Sequence, residues 1–282
     1  MEDWFEEKFE LEKGRTITIK IKDKLFENKS KFQFIEVYDT VPFGKMLVTD
    51  GIIMLTQFDN YAYHEMITHV PITIHGSPKK ILIVGGGDGG TLTEVLKYPF
   101  VESVTLCEID PYIIQASRSY FPEFNECWKD QRLSLVFEDA NEYVKKKLDN
   151  CFDVIIVDSS DPIGMAEVLF EKEFYDNVYR ILNPYGVMSA QMESIYYHKD
   201  FIQSKVNLCN TIFDKALYYY TLIPTYPSGT IGFIAGFKNY TGITPNIEVT
   251  PKEIKYYTKD IHESSFILPK FAESLNSKRY TL

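Results

Sequence analysis

The stretch Lys79–Thr91, KKILIVGGGDGGT, decides the fold. A short apolar strand, Ile81 to Val84, runs into glycines interrupted by a single aspartate, Asp88. Glycines at a strand-to-helix turn permit positive φ and let a ligand approach the backbone, and the helix N-terminus that follows carries partial positive charge. Such a turn ordinarily receives an anion. A carboxylate inside it would repel a pyrophosphate, so the stretch calls for a ligand that presents a cation there.

Downstream, the chain alternates strand and helix: TLTEVLKY (helix), VTLCEID (strand), PYIIQASRSYF (helix), LSLVFEDA (strand), NEYVKKKL (helix) and FDVIIVDSSDP (strand). The runs Ile81–Val84 and Val154–Val157 are apolar throughout, as strands covered on both faces of a parallel sheet should be. This predicts a doubly wound α/β domain. It continues through a helix from about Glu171 to Leu182, a turn at Asn183-Pro184-Tyr185-Gly186, the strand VMSAQ, a helix from about Lys199, and late strands in ALYYYTLIP and IGFIAGF. The last forty residues are expected to pack on the outside.

Upstream, RTITIKIK alternates apolar Ile17, Ile19 and Ile21 with polar neighbours, the period-two pattern of a half-buried strand. KFQFIEVYDT reads as a second strand, and KMLVTDGIIMLT as a hairpin turning at Asp50-Gly51. The first sixty residues therefore predict a small antiparallel β-domain, giving domains 1–60 and 61–282. Between them NYAYHEMITHVPITIHGSPK predicts a helix capped near Asp59 or Asn60 and broken or kinked at Pro71. His64 and His69 stand in an HExxxH spacing. That step puts them about 140° apart around a helix, too far for one metal, so no metal site is expected.

The 282 residues are 45% hydrophobic and carry a formal net charge of −10, which argues against nucleic acid as a partner. An acidic surface can instead concentrate cationic substrates. The cysteines Cys107, Cys127, Cys151 and Cys209 form no CxxC pair and read as reduced thiols of a cytosolic protein. No run of about 18 apolar residues suggests a membrane span, and the acidic N-terminus has no leader pattern. A soluble, cytoplasmic protein is expected.

Ligands of a doubly wound sheet bind at the carboxyl ends of its strands. Four consecutive strands each place acids there: Asp88, then Glu108 or Asp110, then Asp139, then Asp158 and Asp161. Asp after a strand often serves only to cap the next helix, but four in a row at one rim point to a ligand. Glu108, about twenty residues past the glycines, stands where a ribose-binding acid would, and Asp139 could accept an adenine amine. Gly85, Gly87 and Gly90 also satisfy GxGxxG, so a nicotinamide dinucleotide competes. An adenosyl sulfonium whose tail ends only in an ammonium would satisfy every acid. Asp158 and Asp161 on one turn suit an amine that is held and deprotonated, since an alkylammonium has a pKa near about 10.

Through LVTDGIIMLT, YAYHEM, VGGGDGG, CEID, VDSSDPIG and IPTYPSG, over residues 31–236, the chain resembles the spermidine synthases, the polyamine aminopropyltransferases. The resemblance implies a Rossmann-like methyltransferase-type domain behind an N-terminal β-domain, a homodimer, and a site between the two domains. The implied reaction is aminopropyl transfer from decarboxylated S-adenosylmethionine to putrescine, with no permanently bound cofactor and no metal. By motif, Asp158 is similar to the family's proton acceptor and Tyr63 to the residue orienting the amine. Asp88 matches the ligand of the aminopropyl ammonium, Glu108 the ribose acid, Asp139 and Ala140 the adenine contacts, and Gln33 a donor contact from the β-domain. Asp161 with Ser159 resembles the acceptor-binding turn. His64, Gln191 and Tyr226 resemble further walls of the polyamine channel, with a lid somewhere between Ser159 and Tyr226.

Met54 and Met165 depart from the family's pattern, which often has Gln and Pro there, and both bear on donor contacts. The alternatives are an aminopropyltransferase for a longer acceptor such as spermidine or cadaverine, an amine N-methyltransferase, a non-catalytic polyamine- or nucleoside-binding module, and a nicotinamide-dependent oxidoreductase.

Overall fold

The computed structural model describes residues 3–162 and 164–276. The N-terminal part is one antiparallel sheet of β1 (Trp4–Glu6), β2 (Thr18–Lys29), β3 (Phe34–Thr40), β4 (Lys45–Thr49) and β5 (Ile52–Thr56), paired in chain order. The β4–β5 hairpin turns at Asp50 (φ 52°) and Gly51 (φ 84°), the two positive values that a two-residue turn of matching twist requires. β1 is a short edge strand that the acidic composition of its segment had hidden.

Helix α1 (Asn60–His75) follows and runs on through Pro71, so of the expected break or kink there the break does not occur. A proline inside a helix costs about 3 kcal/mol. Met66, Ile67, Val70 and Ile72 are all fully buried, and each contributes about 1.5–3 kcal/mol, so packing outweighs the lost hydrogen bond.

The second part alternates β6 (Lys80–Gly85), α2 (Gly90–Leu96), β7 (Ser103–Glu108), α3 (Pro111–Tyr120), β8 (Leu133–Phe137), α4 (Ala140–Lys145) and β9 (Phe152–Asp158). It continues with α5 (Lys172–Ile181), β10 (Leu182–Met192), α6 (Lys199–Cys209), β11 (Lys215–Leu222), β12 (Thr230–Phe237) and α7 (Lys259–Ser265). The strands form one seven-stranded sheet ordered β11-β12-β10-β9-β6-β7-β8. β8 through β10 are parallel, while β12 runs antiparallel to both neighbours. The order reverses between β6 and β9, the place where such sheets open a crevice. Asn183–Gly186 loop out inside β10, with Tyr185 at φ 66° and the register with β9 shifting between Leu182 and Val187.

One apolar core lies between the large sheet and α1 to α3 and extends into the small sheet; another fills the opposite face under α5 and α6. The C-terminal segment is more than an outer wrapping. Glu65 of α1 accepts hydrogen bonds from the amides of Lys255, Tyr256 and Tyr257 at 2.7, 2.7 and 2.8 Å. Tyr257 and His262 are buried behind it. Residues 277–282 of the expected outer tail lie outside the described residues. No helix among the described residues is long and apolar enough to cross a membrane.

Candidate active site

A cavity of about 250 Å³ opens at the β6/β9 reversal, walled by the strand ends of the large sheet on one side and by the small sheet on the other. Ten of its described lining residues are Asp or Glu, and none is Lys or Arg. Such a wall selects cations.

The glycine turn brings the sheet and the acids together. Gly85 stands at φ 76°, and a Cβ there would meet the Asp158 carbonyl oxygen at 2.2 Å, so β6 and β9 approach too closely for any side chain. Asp88 then folds back so that Oδ1 accepts the Gly90 amide at 2.6 Å. The carboxylate thus occupies the first free amide of α2, where a pyrophosphate would have to bind, which speaks against the nicotinamide reading.

His64 reaches the same oxygen through Nε2 at 3.4 Å. Burial opposes ionisation of Asp88, but His64 and the Gly90 amide outweigh it and hold the carboxyl below its usual range. His64 itself is not on the cavity wall. Its ring lies against the backbone of Gly90, where a Cβ would sit 2.1 Å from it, and its Nδ1 has no hydrogen-bond partner. It stands one layer behind Asp88 rather than along the channel. His69 faces elsewhere, toward Glu94 at 3.1 Å and Tyr98 at 2.9 Å.

Asp158 ends β9 and accepts from the Tyr63 hydroxyl at 2.7 Å on Oδ1 and from the Thr91 hydroxyl at 2.6 Å on Oδ2. Burial pushes its carboxyl up and the Asp88 charge adds to this, against His64 and the two hydroxyls, leaving it at about 6. Burial likewise drives Tyr63 well above the usual phenol range, which keeps it a proton donor. A carboxylate with this pKa, held by two donors beside a cation-selective wall, is suited to accept a proton near neutral pH.

Glu108, the last residue of β7, also lines the cavity, and burial raises it to about 7 despite a 2.9 Å bond from the Asp110 amide. Asp110 does not reach the cavity wall. It caps α3 through the Tyr112 amide at 3.0 Å and ties in the small sheet through Ser30 at 2.6 Å and Gln33 Nε2 at 3.2 Å. Gln33 is thereby fixed at the cavity's edge. Asp139 caps α4 through the Asn141 amide at 2.8 Å and lines the same wall with Ala140 and Met165.

The other end of the cavity holds Ser159, Asp161, Gln191 and Tyr226. Gln191 Nε2 donates to Asp161 at 3.2 Å, and Tyr226 donates to the Met54 carbonyl at 2.6 Å. Burial raises Asp161 well above the carboxylate range, and Glu193 and Glu7 add to it.

Glu7, Glu10, Glu193 and His198 complete this end, and Thr91 supports Asp158 from off the cavity wall. Sequence reasoning missed all five. Thr91 follows the glycines directly and was readable from the turn. Glu193 stands two residues past Gln191, but Glu7 and Glu10 sit in an acidic segment with nothing to mark them as inward-facing. Glu7 Oε1, Glu193 Oε1, Gln191 Oε1 and Ser159 Oγ are buried without a hydrogen-bond partner in the described fold.

Residues 60–246 match the Spermine/spermidine synthase domain and residues 3–57 the Spermidine synthase tetramerisation domain. The chain is 43% identical over 276 residues to the polyamine aminopropyltransferase of Leptospira biflexa, covering 97% of this chain and 98% of that one. It is 42% identical over 272 residues to the spermidine synthase of Dictyostelium discoideum, covering 95% of each. Among solved structures, a spermidine synthase in complex with the transition state analogue AdoDATO superposes with TM-score 0.92 at 35% identity, over 98% of this chain and 96% of that one. The spermidine synthase of Thermotoga maritima superposes with TM-score 0.90 at 35% identity, over 98% and 95%. With both of its parts matched by the family's models and nearly its whole length aligned to a relative at 43% identity, the chain belongs to the spermine/spermidine synthase family of aminopropyltransferases.

Proposed function

We propose that the chain is a spermidine synthase that transfers the aminopropyl group of decarboxylated S-adenosylmethionine to putrescine, giving spermidine and methylthioadenosine. The observation that carries this reading is the row Glu108, Asp88, Asp158 and Asp161 along one cavity without a lysine or arginine. The donor is a co-substrate, so no permanently bound group is needed. Glu108 and Gln33 would hold its ribose, Asp139, Ala140 and Met165 would flank the adenine, and Asp88 would take the aminopropyl ammonium. Asp161, Ser159, Gln191 and Tyr226 would hold the acceptor's far ammonium. His64 acts through Asp88.

In the chemical step the acceptor nitrogen attacks the carbon beside the sulfonium. The N–C bond forms as the C–S bond breaks, and the C–S electrons stay on sulfur as neutral thioether. The amine's proton goes to Asp158, oriented by Tyr63 and Thr91. Positive charge leaves sulfur as it builds on nitrogen, and the acids stabilise both.

Asp158→Asn tests this. The variant should lose about 100- to 1,000-fold in kcat, the scale of general-base assistance, while calorimetry still finds donor binding. The base works ionised, so wild-type kcat/KM should fall as pH drops through about 6. Near-normal turnover of Asp158→Asn would sink the mechanism, and no methylthioadenosine with any diamine would sink the activity.

The division into 1–60 and 61–282 gives each part a share of this site, Gln33 and Met54 from one and the acids of the strand ends from the other. We also take the chain to assemble through its N-terminal sheet. The matched tetramerisation domain favours four copies over the homodimer expected from the resemblance.

A further inference from the structure

The far end of the cavity is built differently from the rest. Asp161 is bonded to Gln191 and neighbours Glu193 and Glu7. Next comes His198, whose Nδ1 lies 3.1 Å from Glu193 Oε2 and whose Nε2 lies 2.7 Å from Glu10 Oε1. The first contact is an ion pair without good hydrogen-bond alignment, and the second is a well-formed bond. A carboxylate faces each ring nitrogen, and these two charges favour a proton on both, an imidazolium, against the Lys13 ammonium that lies 3.4 Å from Nε2. Beyond it, Glu10 is only 1% exposed and already paired with Lys13 and Arg15. Three cationic groups share its carboxylate, Lys13 and His198 on Oε1 and Arg15 on Oε2.

An ammonium entering from Asp158 therefore finds acceptors at Asp161, Gln191, Glu7 and Glu193, three of which still have a buried oxygen without a partner. A further ammonium would meet a cation. We propose that His198, clamped between Glu193 and Glu10, closes the amine channel by both volume and charge and so restricts the acceptor to a diamine, excluding triamines such as the product spermidine. This rests on the acceptor reading above. Selectivity then comes from repulsion of the longer amine as much as from attraction of the shorter one. His198 does not reach the reacting nitrogen, so it is a positioning and length-selecting residue, not a catalytic one.

The test compares putrescine with spermidine as acceptors for wild type, His198→Ala and His198→Gln, reading methylthioadenosine and the aminopropylated products. His198→Ala should raise the spermidine-to-putrescine ratio of kcat/KM at least tenfold, with the change for putrescine falling in KM rather than kcat. His198→Gln keeps most of the volume but drops the charge and should give a smaller rise. Unchanged ratios in folded variants overturn the proposal, and so does a wild type that uses spermidine as well as putrescine. If neither variant folds, a series of α,ω-diamines of increasing length on wild type decides: KM should climb steeply past one length, and a flat dependence overturns the idea. A wild type that releases no methylthioadenosine with any amine fails earlier, at the activity itself, and is distinguishable on that ground.

Discussion

At Asp88 one carboxylate has two duties: it occupies the free amide at the start of α2, and it faces a cavity that selects cations. S-adenosylmethionine would bring its carboxylate toward this acid, whereas the decarboxylated donor brings only an ammonium. Asp88→Asn should therefore weaken the decarboxylated donor by about 10- to 100-fold, the worth of a hydrogen bond to a charged group, and narrow its advantage over S-adenosylmethionine. Calorimetry with both ligands checks this, and an unchanged preference would remove Asp88 from donor selection. The placement of single residues on the cavity was legible in the sequence where an acid stands at a strand end, as at Asp88, Glu108 and Asp158. His64 was expected on the channel wall and instead stands behind Asp88, because its direction depends on how α1 crosses the glycine turn.

Among the elements, α1 decides how the site is held. Its residue 63 carries the hydroxyl on Asp158, its residue 64 backs Asp88, and Glu65 on the opposite side binds three amides of the C-terminal segment. Glu65→Ala would leave those amides without partners and should cost about 2–4 kcal/mol in urea unfolding. A loss below about 0.5 kcal/mol, the size of an ordinary surface change, would mean the segment finds other partners. The hairpin at Asp50-Gly51 was plain in the sequence because φ preference is local. That the helix does not break at Pro71 was hidden for the converse reason, since the burial that tolerates the proline comes from distant strands.

For the whole molecule, the N-terminal sheet is both a wall of the cavity and the part that matches a tetramerisation domain. Trp4, Val41 and Phe58 are exposed in or beside it. Light scattering of the intact protein should return four times the 32.8 kDa chain mass. A particle of two chains would restore the homodimer expectation, and a monomer would remove assembly through this sheet.

By itself the sequence determined the α/β order of elements, the glycine turn and the acids at successive strand ends, since periodicity, turn chemistry and strand polarity are local properties. Tertiary structure alone decided that Asp110 braces Gln33 while Glu108 faces the cavity. It also brought Glu7 and Glu10, from the start of the chain, against Glu193 and His198. Contacts between residues so far apart in sequence depend on how the small sheet docks on the large one, and no short-range pattern records that.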